Sequence, residues 1–172
     1  MENYVTLTEM LDAREARAAL QQEILNRFHT PLICFTLNIP GPLKLLPKVP
    51  DAFFKGKEMI LETLSRHGIF LLVQKEVREK TGYEGFFAAD GDGCEIKKLM
   101  TALEESGPLG RIFDIDVLLP TGEKISREDI SMKPRTCLLC SREAHVCSRS
   151  RSHTVEELVR EISQILDEEF PL

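Results

Sequence analysis

The stretch Arg111-Ile-Phe-Asp114-Ile-Asp116-Val-Leu-Leu119 decides the fold of this 172-residue chain. Successive side chains of a β-strand point to opposite faces, so the apolar residues at positions 113, 115, 117 and 119 share one face. Asp114 and Asp116 then share the other face, roughly 6.5–7 Å apart along the strand. The pattern predicts a strand that buries one face in a core and presents two carboxylates on the other.

Other elements follow on the N-terminal side of this strand. β-Branched and aromatic runs predict strands at residues 32–39, 69–77 and 83–89. Helices are predicted at residues 51–67, capped by Asp51, and at residues 94–105. The order strand-helix-strand-strand-helix-strand, with right-handed crossovers, predicts an α+β fold of the ferredoxin-like βαββαβ type. Its antiparallel sheet would carry the helices on one face and leave the other face for a ligand.

Two extra helices flank this pattern at the N and C termini. Thr6 with Glu9 and Thr154 with Glu157 form potential capping boxes, which predict helices over residues 8–28 and from residue 154 onwards. The Pro-rich segment at residues 40–50 is interpreted as a functional loop and not as a linker between domains, because the predicted strands on either side of it belong to one sheet. Residues 1–172 are therefore predicted to form a single domain.

The composition is that of an ordinary globular protein, with 42% hydrophobic and 29% charged residues. No apolar run is long enough to span a bilayer, and no basic region followed by an apolar stretch opens the chain. We therefore expect a cytoplasmic protein without membrane contact. Five cysteines in that compartment should be reduced, so a disulfide framework is not expected.

Charge is distributed unevenly along the chain. The formal net charge is −6, which argues against nucleic acid as the main partner. Residues 134–153, called the basic segment below, contain four arginines and one glutamate, so this segment carries +3 and the remainder −6 − 3 = −9. A compact basic segment in an acidic protein indicates a site for a small polyanion.

The acidic pair suggests a metal site. Two carboxylates on one strand face cannot both be buried unpaired, and Mg²⁺ typically takes one or two carboxylates plus substrate phosphate oxygens. Arginine suits phosphate because its planar fork bonds bidentately. A solvated acidic strand face remains the alternative. The pattern predicts a site for phosphoryl or nucleotidyl transfer. Its predicted catalytic residues are Asp114 and Asp116, both as Mg²⁺ ligands, and Arg111. Its predicted substrate-binding residues are Arg135, Arg149, Arg151 and His153.

Three cysteines of the basic segment allow two interpretations. Cys137, Cys140 and Cys147 could hold Zn²⁺ together with His145, or alternatively with His153, because Cys-x₂-Cys is a usual half of a structural zinc site. The thiols could instead be small packed hydrophobes. We favour packed thiols at this point, since the spacing after Cys140 is irregular and the arginines would repel an incompletely neutralised cation.

Four motifs occur together and identify a family. They are residues 107–117 (Gly-x-Leu-Gly-Arg-x-Phe-Asp-Ile-Asp-Val), Ile125-Ser-Arg127, Arg135-x-Cys-Leu-x-Cys140 and Cys147-x-Arg149-x-Arg151-x-His153. The chain closely resembles the apo-citrate lyase phosphoribosyl-dephospho-CoA transferase family, the holo-acyl-carrier-protein synthases of citrate lyase. The resemblance implies transfer of the prosthetic group from 2'-(5''-triphosphoribosyl)-3'-dephospho-CoA to a serine of the apo acyl-carrier (gamma) subunit of citrate lyase, with release of diphosphate.

A more distant similarity links Arg111, the two aspartates and the following Gly122-Glu-x-Ile to the folate-pathway pyrophosphokinases. Those enzymes are ferredoxin-like and hold magnesium with two aspartates, whereas the Pro-rich loop and the basic segment here replace what binds the pterin. Two other functions thus stay open. A pyrophosphokinase would consume ATP and release AMP, and a zinc-stapled, non-catalytic binding module would still function without the aspartates.

Overall fold

A computed structural model describes residues 3–171. Within that range no helix combines the length and the apolar composition needed to cross a membrane. The helices are α1 (Leu7–Phe28), α2 (Val49–Arg66), α3 (Gly93–Glu104), α4 (Ala144–Ser150) and α5 (Val155–Glu169), and the strands are β1 (Leu32–Leu37), β2 (Phe70–Glu79), β3 (Gly82–Asp90) and β4 (Phe113–Leu118).

The four strands form one antiparallel sheet in the order β2-β3-β1-β4. Helix α2 connects β1 to β2 across the position of β3, and α3 connects β3 to β4 across the position of β1. The predicted α+β class, the antiparallel sheet and the flanking helices are confirmed. Both predicted capping boxes are also present, at Thr6 with Glu9 and at Thr154 with Glu157.

The main core lies between one face of the sheet and helices α2, α3 and α5. Phe35 of β1 stacks on Phe53 of α2 at a centroid distance of 5.2 Å, and Phe113 of β4 meets it edge-on at 5.3 Å. A Cβ added to Gly56 would lie 2.4 Å from the Phe35 ring, so only glycine lets α2 approach the sheet this closely. The same core fixes β4 in place.

The opposite sheet face is not free along its whole length, contrary to the expectation from sequence. Ile24 and Leu25 of α1 pack against a second apolar cluster on that face, which includes Leu32, Cys34 and Phe86. Arg17 of α1 also donates to the buried Glu84 carboxylate of β3 through Nε and Nη2, at 2.8 and 2.9 Å. A ligand on this face is thereby restricted to the part that α1 leaves uncovered.

Strand β4 lies at an edge of the sheet, yet several of its outer backbone groups have partners. The buried Glu104 carboxylate accepts from the Ile115 amide at 2.8 Å, and buried Lys97 donates to the Ile115 carbonyl at 3.0 Å. The Ile125 amide donates to the Val117 carbonyl at 2.9 Å. Side chains of α3 therefore replace the missing neighbouring strand, and this prevents β4 from pairing with another chain.

Some predicted boundaries differ from the structure. Arg111 lies in a 3₁₀ turn, Leu109–Ile112, and β4 starts after it. Helix α2 starts at Val49 with Lys48 as its N-cap, so Asp51 lies in the first turn and not at the cap; the first turn tolerates Pro50 because its missing N–H would have no partner there. The short helix α4 within the basic segment was not predicted.

The double role of Glu104 leads to a stability prediction. Glu104 Oε2 lies 2.6 Å from Arg127 Nη2, and its side chain is only 5% exposed, whereas Glu105 Oε1 lies 2.7 Å from Nη1 of the same arginine at 51% exposure. Glu104→Ala leaves the Ile115 amide without its acceptor and buried Lys97 without the nearby negative charge, so it should lower the free energy of unfolding by about 3–5 kcal/mol. The control Glu105→Ala should cost about 0–1 kcal/mol. Urea unfolding followed by circular dichroism measures both, and equal losses would contradict the assigned role.

Candidate functional site

Asp114 and Asp116 lie side by side on the face of β4 that is turned away from the main core. Burial alternates along the strand, with Phe113, Ile115 and Val117 fully buried and both aspartates partly exposed. Lys124 Nζ contacts Asp116 Oδ1 at 2.7 Å. Within the described part of the chain, no hydrogen bond or ion pair reaches the Asp114 carboxylate. The strand thus presents one neutralised and one unneutralised carboxylate.

The surroundings of Asp114 disfavour its charge. Burial raises the pKa of Asp114, and the neighbouring negative charges of Asp116 and Glu104 raise it further. Arg135 and Lys124 act in the opposite direction without reversing the shift. A desolvated carboxylate beside a second carboxylate is an arrangement that a hard divalent cation would stabilise.

A cleft of about 230 Å³ opens beside Asp114 on the α1 face, and we call it the acidic-pair cleft. Three cations line it, Arg14 and Arg17 from α1 and Lys44 from the Pro-rich loop. None of these three residues was predicted from the sequence as a site residue. A signal did exist, because Arg14 and Arg17 are spaced for one helix face. Only the packing of α1 over β3 and β1 shows that this face meets the aspartate.

A larger cleft of about 620 Å³ lies between the end of β1, the basic segment and α5, and we call it the arginine cleft. Leu138, Val155 and Leu158 are among the residues that form its apolar wall. It brings together four of the predicted catalytic and substrate-binding residues: Arg111, Arg135, Arg151 and His153. Asn38 lines both clefts, so they adjoin at the end of β1.

Arg111 and Arg135 fix each other's backbone. Arg111 Nη2 donates to the carbonyls of Thr136 and Cys137, at 2.9 and 3.1 Å. Arg135 Nη2 donates to the Arg111 carbonyl at 2.9 Å and to the Phe113 carbonyl. These exchanges tie the basic segment to the start of β4, next to the acidic pair. Each guanidinium keeps other N–H groups that are not used in these bonds.

Two predicted residues lie elsewhere. Arg149 is exposed on α4 and does not line the arginine cleft. His145 is exposed, and its Nε2 lies 3.3 Å from the Glu143 carboxylate. The proposed zinc ligand set with His145 is therefore not the set that the structure assembles.

The structure instead gathers Cys137, Cys140, Cys147 and His153, whose potential ligand atoms all lie within 4.8 Å of one another. Hydrogen bonds from the Arg142 backbone and from His153 are the main causes that lower the pKa of the Cys140 thiol to about 6. Burial raises the pKa of Cys147 to about 11. All five cysteines are free thiols.

Comparison with known sequences gives a consistent family. Residues 5–169 match the family described as apo-citrate lyase phosphoribosyl-dephospho-CoA transferase. A protein of that name from Escherichia coli O139:H28 is 35% identical over 164 residues, covering 95% of this chain and 90% of the relative. One from Shigella boydii serotype 18 has the same identity and coverage.

Protein CitXG of Haemophilus influenzae is 35% identical over 162 residues, covering 94% of this chain. The match spans only 35% of that longer protein. The family match covers both aspartates, both clefts and the cysteine cluster, and the relatives from Escherichia coli and Shigella are matched over nearly their whole length. The chain therefore belongs to the apo-citrate lyase phosphoribosyl-dephospho-CoA transferase family of transferases.

Proposed function

We propose that this protein transfers the phosphoribosyl-dephospho-CoA group from 2'-(5''-triphosphoribosyl)-3'-dephospho-CoA to a serine of the apo acyl-carrier subunit of citrate lyase, with release of diphosphate. The family and the names of the relatives support the prosthetic group and the acceptor. The observation that carries the site assignment is the unneutralised Asp114 carboxylate beside Asp116, where a cationic cleft and an arginine-lined cleft adjoin.

The reaction is a substitution at phosphorus. The serine Oγ forms a bond to the phosphorus next to the ribose, and the bond from that phosphorus to the bridging oxygen of the diphosphate breaks. The serine proton is released to solvent in the net reaction, and diphosphate leaves with its electron pair. Such transfers depend mainly on positioning and on neutralising charge on the phosphate oxygens, which the cations of the two clefts are arranged to do.

The residues present fit a magnesium ion. Mg²⁺ prefers carboxylate and phosphate oxygens, and Asp114 with Asp116 would hold it on the open part of the sheet face. When bound, it would neutralise phosphate charge in the reacting complex. Lys124, which contacts Asp116 at 2.7 Å, would then be free to meet a phosphate oxygen.

The two clefts suggest how the precursor is divided between them. The acidic-pair cleft is small and is lined by Arg14, Arg17 and Lys44 against Asp114 and Glu84, of which Glu84 is already paired with Arg17. The remaining excess of positive charge suits the triphosphate. The arginine cleft is larger and has an apolar wall, with Arg111, Arg135 and Arg151 on its polar side. This combination suits the dephospho-CoA part of the precursor, which has both polar and apolar groups. The reacting phosphorus would then lie between them, near Asn38.

We also assign the domain to the ferredoxin-like folds. The support is the strand order β2-β3-β1-β4 together with two helical crossovers that each skip one strand. This assignment agrees with the similarity of the Asp114–Asp116 region to the folate-pathway pyrophosphokinases. A shared fold does not indicate a shared substrate.

Replacing either aspartate should abolish most of the transfer. Asp114→Asn and Asp116→Asn should each lower turnover by at least about a hundredfold, the scale of losing a main electrostatic stabiliser of the transition state. Mass spectrometry of the apo acyl-carrier subunit, incubated with the enzyme, the precursor and Mg²⁺, follows the reaction. Glu105→Ala is the control for a lost surface carboxylate. Near-wild-type turnover in both aspartate variants at saturating Mg²⁺ would rule out the assignment of the two aspartates. Release of AMP from ATP by the wild-type protein would indicate a pyrophosphokinase instead of this transferase.

Magnesium binding should also appear in stability. Because the pKa of Asp114 is raised, the folded state disfavours its ionised form; this cost is fully present above the raised pKa and is relieved as the pH falls through it. Without metal, Asp114→Asn should therefore unfold at a higher temperature than wild type at neutral pH, and the difference should shrink in acid. Mg²⁺ at a hundred times its Kd should stabilise wild type by about 2.7 kcal/mol.

Asp116→Asn is measured alongside: it loses the ion pair with Lys124 and also the like charge beside Asp114, so without metal it should gain less stability than Asp114→Asn. Differential scanning fluorimetry, with and without Mg²⁺, measures all three proteins. An equal response to Mg²⁺ in wild type and Asp114→Asn would contradict a metal site at this residue.

The arginines of the basic segment should differ in importance. Arg151 lines the arginine cleft and Arg149 does not, although the two are only two residues apart. Arg151→Lys keeps the charge but loses the planar fork, so it should weaken binding of the triphosphate precursor about tenfold, the scale of one lost charge-assisted hydrogen bond. Arg149→Lys should leave binding unchanged. Calorimetric titration compares the two variants, and identical affinities would exclude a direct role for Arg151.

A further inference from the structure

We propose that Cys137, Cys140, Cys147 and His153 form a structural Zn²⁺ site that holds the basic segment in place as the wall of the arginine cleft. This inference concerns a metal different from the magnesium of the reaction. It does not depend on the proposed transfer activity, because its test measures bound metal directly.

The distances between the four side chains match a tetrahedral site. A zinc ion bound at about 2.3 Å to sulfur and about 2.0–2.1 Å to nitrogen places its sulfurs about 3.8 Å apart and sulfur and nitrogen about 3.5 Å apart. Cys140 Sγ lies 3.4 Å from Cys147 Sγ and 3.4 Å from His153 Nε2, and all four potential ligand atoms lie within 4.8 Å. The sulfurs are too far apart for a disulfide, which requires about 2.05 Å.

The local backbone is arranged to bring these ligands together. The Cys137 amide donates to the Arg142 carbonyl at 2.7 Å, and the Ala144 amide donates to the Arg135 carbonyl at 2.8 Å. These bonds close a small hairpin that carries the Cys-x₂-Cys pair. The Leu139 amide also points at Cys137 Sγ, at 3.5 Å, a donor that would support a thiolate.

The other two ligands come from α4 and the turn that follows it. Cys147 lies inside α4 with its side chain buried. The chain then reverses at Arg151, which adopts a left-handed conformation with φ of 48°, and the Ser152 amide donates to the Cys147 carbonyl at 3.1 Å. This reversal directs His153 back towards the cysteines. A non-glycine residue in this conformation costs free energy, so other interactions must hold the turn.

The charge balance favours a metal at this point. Three thiolates and a neutral imidazole around Zn²⁺ leave a net charge of 2 − 3 = −1. The basic segment carries four arginines that can offset this charge, so the arginines stabilise the site once all three thiols are ligands. From the sequence, we expected the arginines to repel a cation that the thiolates neutralise incompletely. With three thiolates the zinc charge is fully neutralised, so this repulsion does not arise.

The site also reassigns His153 and explains the position of the arginines. His153 Nε2 faces the cysteines, so His153 would act as a metal ligand and a positioning residue and would not bind substrate. Arg135 lies two residues before the first ligand, Cys137, and Arg151 lies two residues before the last ligand, His153. A zinc ion would hold both at fixed positions in the cleft wall, since structural zinc sites supply folding free energy directly.

Metal content of the intact protein tests the proposal. Protein produced in zinc-supplemented medium and purified with a reductant but no chelator should contain about one equivalent of zinc, as a closed four-ligand site holds one ion. Cys140→Ser and His153→Ala should lose most of the metal. His145→Ala and Cys94→Ser are matched controls, because His145 lies in the same segment but faces Glu143, and Cys94 is an exposed thiol on α3. Both controls should keep the zinc.

Two measurements avoid dependence on variants that fail to fold. Replacement of zinc by Co²⁺ in the wild-type protein should give thiolate-to-cobalt charge-transfer absorption and tetrahedral ligand-field bands. Removal of metal by a chelator should speed up tryptic cleavage at Arg142, Arg149 and Arg151, and added zinc should restore the slow rate.

Wild-type protein that holds less than a tenth of an equivalent after incubation with Zn²⁺ and dialysis would overturn the proposal and leave packed thiols. Equal zinc loss in His145→Ala and His153→Ala would also overturn it. Recovery of a Cys140–Cys147 disulfide in place of metal, under the same reducing purification, would do so as well.

Discussion

The buried carboxylate of Glu104 accepts from the Ile115 amide while Arg127 pairs with it, and Lys97 from the same helix donates to the Ile115 carbonyl. Strand β4 depends on these contacts, because it lies at a sheet edge and has a neighbouring strand on one side only. Two buried charged side chains of α3 therefore act as its second neighbour. Since β4 carries both aspartates, the position of the acidic pair follows from this interaction between a helix and an edge strand.

The start of β4 is fixed by a second set of contacts, from the basic segment. Arg135 donates to the carbonyls of Arg111 and Phe113, and Arg111 donates back to Thr136 and Cys137. The acidic pair and the arginine cleft are thus connected through hydrogen bonds from arginine side chains to backbone carbonyls and not only through charge. A zinc ion in the neighbouring cysteine cluster would extend this connection to His153 and the start of α5. The two metal proposals therefore concern one continuous wall of the site.

The site is costly for folding, as expected for a functional region. Burial raises the pKa of Asp114, and within the described residues no hydrogen bond or ion pair reaches its carboxylate. Arg151 is likewise held in a left-handed conformation.

The sequence by itself determined the family and all the α-helices and strands except the short helix α4, with some boundaries displaced. Alternation around Asp114 and Asp116, the two capping boxes and the order of strands and helices needed only local periodicity, and the four motifs identified the relatives. Contacts between distant segments could not be predicted in this way. Packing of α1 on the second sheet face brought Arg14 and Arg17 to Asp114, and the turn at Arg151 selected His153 instead of His145. Spacing along the chain fixes which face a side chain occupies, but only tertiary packing decides which faces meet.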